Sequence, residues 1–157
     1  MVKATPEEIA ITYVACQKLL FVAEQELGVK ETPGSKAEPR IMEYEKHTNR
    51  GYTGSDEEAW CAKFANFVVD TAGFKGTNSA AARSFLKWGK KLGKPIPGCI
   101  VVFDRKDKNN PNAAHVTFFK YEEKAHGTKA CVGGNQGNMV KQSSYFTEKI
   151  LGYRSPI

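Results

Sequence analysis

Hydrophobic residues near the N-terminus recur at three- and four-residue steps, the period of one face of an α-helix. Thr5 is a suitable N-cap for this helix, Pro6 suits its first position, and Glu8 completes a capping box. The apolar repeat continues to Leu27, and Gly28 is a typical residue for a helix end. We therefore expect a long helix that packs one face against the core.

Two more helices are predicted before the pattern changes. Residues 55–73 place an apolar stripe on one helical face, and a shorter capped helix follows over 79–88. Residues 29–55 are punctuated by proline and glycine. There we expect an ordered loop with a short helical turn near residues 40–44.

From residue 95 onward, short runs rich in β-branched and aromatic residues alternate with polar turns, a pattern typical of strands. The runs are CIVVFDR (99–105), HVTFFKY (115–121), KACVGG (129–134), 140–144 and 150–154. Helices first and strands afterwards predict an α+β fold with an antiparallel sheet. The length of 157 residues predicts a single domain.

Composition narrows the classes of partner. Hydrophobic residues make up 41% and charged residues 25%, which excludes a disordered or fibrous chain, and no apolar run is long enough to span a membrane. The 23 Lys and Arg residues outnumber 17 Asp and Glu residues, giving a net charge of +6. This balance favours an anionic partner: nucleic acid, anionic lipid or bacterial wall polymer. Charge alone does not choose among them.

The cysteines suggest a reducing compartment. Cys16, Cys61, Cys99 and Cys131 are far apart and form no CxxC pair, which argues against a structural zinc site. The N-terminus lacks the pattern of a secretory signal. We therefore expect synthesis in the cytoplasm and free thiols.

The candidate chemistry begins at Cys61, close to the start of an apolar helix, where the helix dipole stabilises a thiolate. His115 opens a strand directly after a polar loop and is a candidate general base for that thiol. Asn135 follows two glycines at the end of the next strand and is the first candidate to orient the imidazole, with Gln136 as its substitute. Tyr52 and Trp60 are candidates for lining a substrate groove.

One feature conflicts with this interpretation. Ser55 and Glu58 form a good capping box, which would place Cys61 a turn and a half inside the helix, beyond most of the dipole effect. We therefore expect the regular helix to begin nearer Ala59, with the acids at 56–58 turned to solvent. Otherwise His115 alone must stabilise the thiolate.

The order of cysteine, histidine and asparagine, with AWCA, HV and GGNQ in sequence, resembles the papain-like CHAP and NlpC-type hydrolases that cleave peptidoglycan peptides. The resembling stretches are AEQELGVKE (23–31), PRIMEY (39–44), residues 56–89, PGCIVVFDR (97–105), HVTFFKY (115–121), VGGNQ (132–136) and LGYRSP (151–156). The resemblance implies a papain-like core over residues 20–157, with 1–19 as an N-terminal helical extension. It also implies Cys61 as nucleophile, His115 as base and Asn135 or Gln136 as the orienting group. Gln136 is also a candidate for contact with substrate.

Two positions depart from that family's pattern. Cys99 stands where relatives often have aspartate, and Thr117 stands where relatives often have glycine in HVGF. Thr117 adds bulk one strand step from the proposed base. Neither departure touches the three proposed catalytic residues.

We therefore expect a cysteine-dependent hydrolase of cell-wall peptide bonds, an endopeptidase or an amidase, and foremost a monomeric phage endolysin that reaches the wall after release. No cofactor, nucleic acid or stable membrane insertion is expected. No metal is expected either, because the Asp104–Asn110 loop lacks the ligand spacing of an EF-hand. The alternatives are a wall amidase delivered as a secreted effector, a nucleic-acid-binding module, and a non-catalytic structural module on the same fold.

Overall fold

The computed structural model describes residues 3–32, 38–49 and 60–157, which form an α+β domain. Its α-helices are α1 (Pro6–Gln25), α2 (Pro39–Glu45) and α3 (Cys61–Thr71). The strands are β1 (Lys90–Leu92), β2 (Ile100–Asp104), β3 (Ala114–Glu123), β4 (Thr128–Gly133), β5 (Lys141–Phe146) and β6 (Ile150–Ser155). Short 3-10 turns occupy Ala82–Lys87, Lys124–His126 and Thr147–Lys149.

The six strands form one sheet in the order β1-β6-β2-β3-β4-β5, and every neighbouring pair is antiparallel. The predicted α+β fold with an antiparallel sheet is therefore confirmed. The longest strand, β3, lies between β2 and β4 and pairs His115 with Phe103 at its beginning. This register brings the proposed base to the strand end nearest the loop.

The core has two parts. The larger cluster joins buried side chains of all three α-helices to those of β2, β3 and β4, with Tyr44, Phe64 and Phe118 in edge-to-face contact. The smaller cluster joins Cys16 of α1 to Cys99, Cys131 and their neighbours on the strands. All four cysteines are free and buried. No helix within the described ranges combines the length and apolarity needed to cross a bilayer.

The first helix begins as its sequence predicts. The Thr5 hydroxyl accepts a hydrogen bond of 3.1 Å from the backbone N–H of Glu8, and Pro6 occupies the first turn. The helix ends at Gln25 and Gly28 follows at φ +96°. It runs unbroken across residues 19 and 20, so the N-terminal extension and the start of the predicted core are parts of one helix.

Two elements differ from expectation. The helix predicted over 79–88 is a 3-10 turn of six residues, Ala82–Lys87. The polar run of β1 between Gly89 and Gly93 forms a strand that the sequence did not predict, because it pairs with β6 at the sheet edge. Its side chains carry no apolar alternation, so only the tertiary partner identifies it.

A close approach of α1 to the turn before β2 requires glycine. Gly98 has φ +90°, and a Cβ there would lie 1.8 Å from the backbone oxygen of Cys16. Gly127 has φ +63° but open space around it, and Gly93 has neither constraint. Alanine substitutions at these three positions therefore distinguish the cost of backbone strain from the cost of steric overlap.

We expect Gly98→Ala to lower the free energy of unfolding by about 3 kcal/mol or more, because strain and overlap combine. Gly127→Ala should cost about 1 kcal/mol through φ alone, and Gly93→Ala should stay within about 0.5 kcal/mol. Urea unfolding followed by circular dichroism measures all three. Equal losses for Gly98→Ala and Gly127→Ala would contradict the close packing of α1 on this turn.

Candidate active site

Cys61 is the first residue of α3. Its N-cap, Trp60, makes no side-chain capping bond, so the helix dipole and the first-turn N–H groups act on this end of the helix. This position agrees with a helix start nearer Ala59 than Ser55. Ser55 and the acids at 56–58 lie outside the described residues.

The Cys61 sulfur is the only one of the four thiols whose environment favours the thiolate. Burial is the largest influence and raises its pKa, but the charge of His115, the backbone N–H of Val116 and the charge of Arg105 together hold the pKa below its ordinary value. Burial instead raises the pKa of Cys16 and Cys99 to about 12 and that of Cys131 further still.

His115 is 4% exposed, and among the described residues both contacts of its imidazole with hydrogen-bonding groups are made at one ring nitrogen. Its Nε2 atom lies 3.0 Å from Oε1 of Gln136 and 3.2 Å from the hydroxyl of Tyr145. The Tyr145 ring lies along it, with ring centroids 5.3 Å apart. The other ring nitrogen, Nδ1, is buried and has no hydrogen-bond partner within the described part of the chain.

The amide of Gln136 determines which nitrogen of His115 carries the proton. Its NH₂ group donates to the backbone oxygens of Cys131 and Lys141, at 3.2 and 2.7 Å. Its Oε1 atom is therefore the acceptor, and it receives the Thr117 hydroxyl at 2.7 Å as well as His115 Nε2–H. With the proton on Nε2, Nδ1 presents a free lone pair, as a general base requires.

The structure brings Gln136, rather than Asn135, to the imidazole. Asn135 has φ +57° and is half-buried, and it lines the cavity beside His115 without a hydrogen bond to the ring within the described residues. The left-handed conformation of Asn135 turns the chain directly after β4. The next side chain, that of Gln136, then reaches back to the backbone of both β4 and β5.

Trp60 is a core residue and not a groove residue. It is 1% exposed, stacks near Tyr44 with centroids 5.9 Å apart, and donates its indole N–H to Glu31 at 2.8 Å. Its expected contact with substrate is therefore wrong, because the whole side chain is packed inside. Tyr52, the other groove candidate, lies outside the described residues.

Two polar contacts of the site were missed at the sequence level. Thr117 follows His115 by two residues, the spacing that puts side chains on the same face of a strand. That spacing was the available signal, but only the added bulk of Thr117, and not its hydroxyl group, was considered. Tyr145 lies on β5 and carries no local signal, because only the sheet brings it to His115.

Gly133 provides the space for this hydrogen-bond network. A Cβ at Gly133 would lie 2.4 Å from the Thr117 hydroxyl oxygen and 2.7 Å from Oε1 of Gln136. A side chain at this position would therefore displace the groups that hold the imidazole.

A cavity of about 380 Å³ opens beside His115, within the size range of ligand sites. We call it the His115 cavity; the described residues that line it are Phe103, Asp104, Arg105, His115, Asn135, Gln136, Gly137, Lys141, Ser143, Tyr145 and Lys149. Cys61 is 5% exposed, whereas the other three cysteines are fully buried. In the described ranges, no cluster of three or more His, Cys, Asp or Glu side chains is placed to hold a metal ion.

We expect iodoacetamide at about pH 6.5 to alkylate Cys61 selectively, because it alone of the four cysteines has a lowered pKa and is not fully buried. The rate should rise with pH and level off at a lower pH than for a free thiol, since deprotonation is complete earlier. Peptide mass spectrometry of the native protein measures modification at all four cysteines. Equal labelling of Cys61 and Cys16 would show that the site does not activate its thiol.

Comparison of the chain with protein-family models, curated proteins and solved structures found no match. The resemblance to CHAP and NlpC-type hydrolases therefore rests on the motifs of this chain quoted above. The geometry of Cys61, His115 and Gln136 is an independent observation, and the two together support the proposal below.

Proposed function

We propose that this chain is a cysteine-dependent hydrolase that cleaves amide bonds in the peptides of bacterial peptidoglycan. One observation carries the proposal: Cys61 has a lowered pKa at a helix N-terminus, beside a histidine whose proton Gln136 holds on Nε2. A buried thiol with a structural role alone needs none of these groups, as the raised pKa of Cys16 and Cys99 illustrates.

The proposed reaction begins with proton transfer from the Cys61 thiol to Nδ1 of His115. The sulfur then attacks the amide carbonyl and forms a tetrahedral intermediate. His115 gives the proton to the departing amine, which leaves an acyl-enzyme. A water molecule, deprotonated by His115, releases the acid and restores the thiol.

The helix N-terminus offers a donor for the oxyanion. The backbone N–H of Cys61 lies in the first turn of α3, where N–H groups have no partner within the helix. Such a donor is worth roughly 3–4 kcal/mol of transition-state stabilisation in acyl transfer. Thr117 and Tyr145 hold Gln136 and the imidazole without touching the reacting atoms.

The papain-like fold is part of the same proposal. A cysteine at the first residue of a helix, against an antiparallel sheet that carries the histidine, is the arrangement that the resemblance implies. Peptidoglycan as substrate follows from the same resemblance. The net charge of +6 supports action at an anionic envelope, as for a bacteriolytic phage endolysin or a delivered wall amidase.

We expect Cys61→Ser and His115→Ala each to reduce hydrolysis of purified cell walls by about 10³-fold or more, because each removes a reacting group. His126→Ala is the matched control: His126 is exposed, lies outside the site and should retain full activity. Turbidity loss and released amino groups are the measurements. Wall binding without turbidity loss by the native protein would favour the non-catalytic module instead.

A second pair of variants tests whether Gln136 or Asn135 orients the imidazole. Gln136→Ala should lower kcat by about 10²-fold, since the imidazole loses the acceptor that fixes its tautomer. Asn135→Gly, which suits the positive φ at that position, should change kcat by less than about threefold. The pH profile of Cys61 alkylation should shift in Gln136→Ala and not in Asn135→Gly. The reverse pattern would return the orienting role to Asn135.

A further inference from the structure

The His115 cavity is strongly cationic. Arg105, Lys141 and Lys149 line it, together with the neutral groups of Asn135 and Ser143. Arg105 and Lys141 are exposed and Lys149 is half-buried. Three positive charges therefore face a space large enough for part of a peptide.

The one carboxylate of the cavity does not neutralise these charges. Asp104 accepts the backbone N–H of Lys106 at 2.8 Å, and its carboxylate lies 3.7 and 3.9 Å from the charged groups of Lys106 and Arg83. Its backbone hydrogen bond and these charges hold its pKa below the usual range, so it stays ionised and engaged with them.

The three cavity cations are unpaired within the part of the chain that the structure describes. No carboxylate there lies within ion-pair distance of Arg105, Lys141 or Lys149. Unpaired basic residues also occur elsewhere in the described ranges, for example Lys90 and Lys91. Arg105, Lys141 and Lys149 differ from these because they line one cavity, where a ligand has access.

The charge of Arg105 also reaches the reacting groups. It acts on both the Cys61 sulfur and the Tyr145 hydroxyl, favouring the anionic form of each. Arg105, His115 and Tyr145 also line the same cavity, so an anion bound at Arg105 lies in the space that the proposed base borders. Guanidinium groups bind carboxylates with two parallel hydrogen bonds, which fixes the orientation of the bound group.

We propose that Arg105, Lys141 and Lys149 form a subsite for a free carboxylate of the peptide substrate, so that a peptide with a carboxylate beside the scissile amide is preferred over its amidated counterpart. The position of the scissile amide rests on the proposed function. The binding of a carboxylate rests on the cavity alone.

The first test needs no hydrolysis. Cys61 is alkylated with iodoacetate, which carries a carboxylate, and with neutral iodoacetamide, and the ratio of the two rates is measured. Both reagents respond equally to the thiolate fraction, so the ratio reports only attraction of the carboxylate. Arg105→Gln should lower the ratio by about fivefold, the effect of removing one nearby positive charge.

The matched control is Lys108→Gln, which removes a lysine of the same loop that does not line the cavity. It should leave the ratio unchanged, and added salt should lower the ratio of the native protein. A ratio that is the same in native protein, Arg105→Gln and the combined variant Arg105→Gln, Lys141→Gln, Lys149→Gln would overturn the subsite.

The second test uses stem peptides that differ only by a carboxylate or a carboxamide, placed in turn at each carboxyl of the peptide. The native chain should cleave one free-carboxylate peptide with a kcat/KM about tenfold above its amidated partner, and the combined variant should lose this preference. Equal cleavage of every pair by the native chain overturns the inference and leaves the hydrolase proposal standing. If the alkylation ratio falls in the cation variants but no peptide is cleaved, the carboxylate subsite is supported and the hydrolase proposal is refuted.

Discussion

The proposed chemistry of this molecule depends on the orientation of one side-chain amide. Two backbone oxygens, of Cys131 and Lys141, accept the NH₂ group of Gln136 and leave its oxygen facing His115. Because that oxygen is only an acceptor, the proton of the neutral imidazole stays on Nε2. Nδ1 is therefore the ring nitrogen with a lone pair that can accept a proton. The sheet supplies both backbone oxygens, so its strand pairing sets the protonation of the site.

The four cysteines show how environment separates one residue type into two roles. Cys16, Cys99 and Cys131 are fully buried among apolar neighbours, where the cost of burying a charged sulfur outweighs any stabilising contact. Cys61 is almost as buried, but a helix N-terminus, a backbone N–H and an imidazole meet at its sulfur. The buried ion pair of Lys63 with Glu45 joins α3 to α2 close by. Such a pair favours one placement of the helix, because separating its members leaves a charge inside the protein.

The sequence predicted features with a local cause. The cap of α1, the order of helices and strands, and the places of Cys61 and His115 at the beginnings of their elements all follow from neighbouring residues. It did not separate Asn135 from Gln136, because one residue in a left-handed conformation decides which of two adjacent side chains reaches the ring. It also missed β1 and Tyr145, whose positions depend on partners far along the chain. Trp60 was misassigned because an aromatic residue beside a reactive group is equally suited to the core.

The close fit around Gly133 links the sizes of two residues on neighbouring strands. Thr117 fills the space that a side chain at position 133 would need, and it uses that space to hold Gln136. A smaller residue at 117 would remove the nearest of these contacts, and the main remaining overlap of a Cβ at 133 would be with Oε1 of Gln136. Among homologous chains, these two positions should therefore vary together, with bulk on one strand matched by its absence on the other.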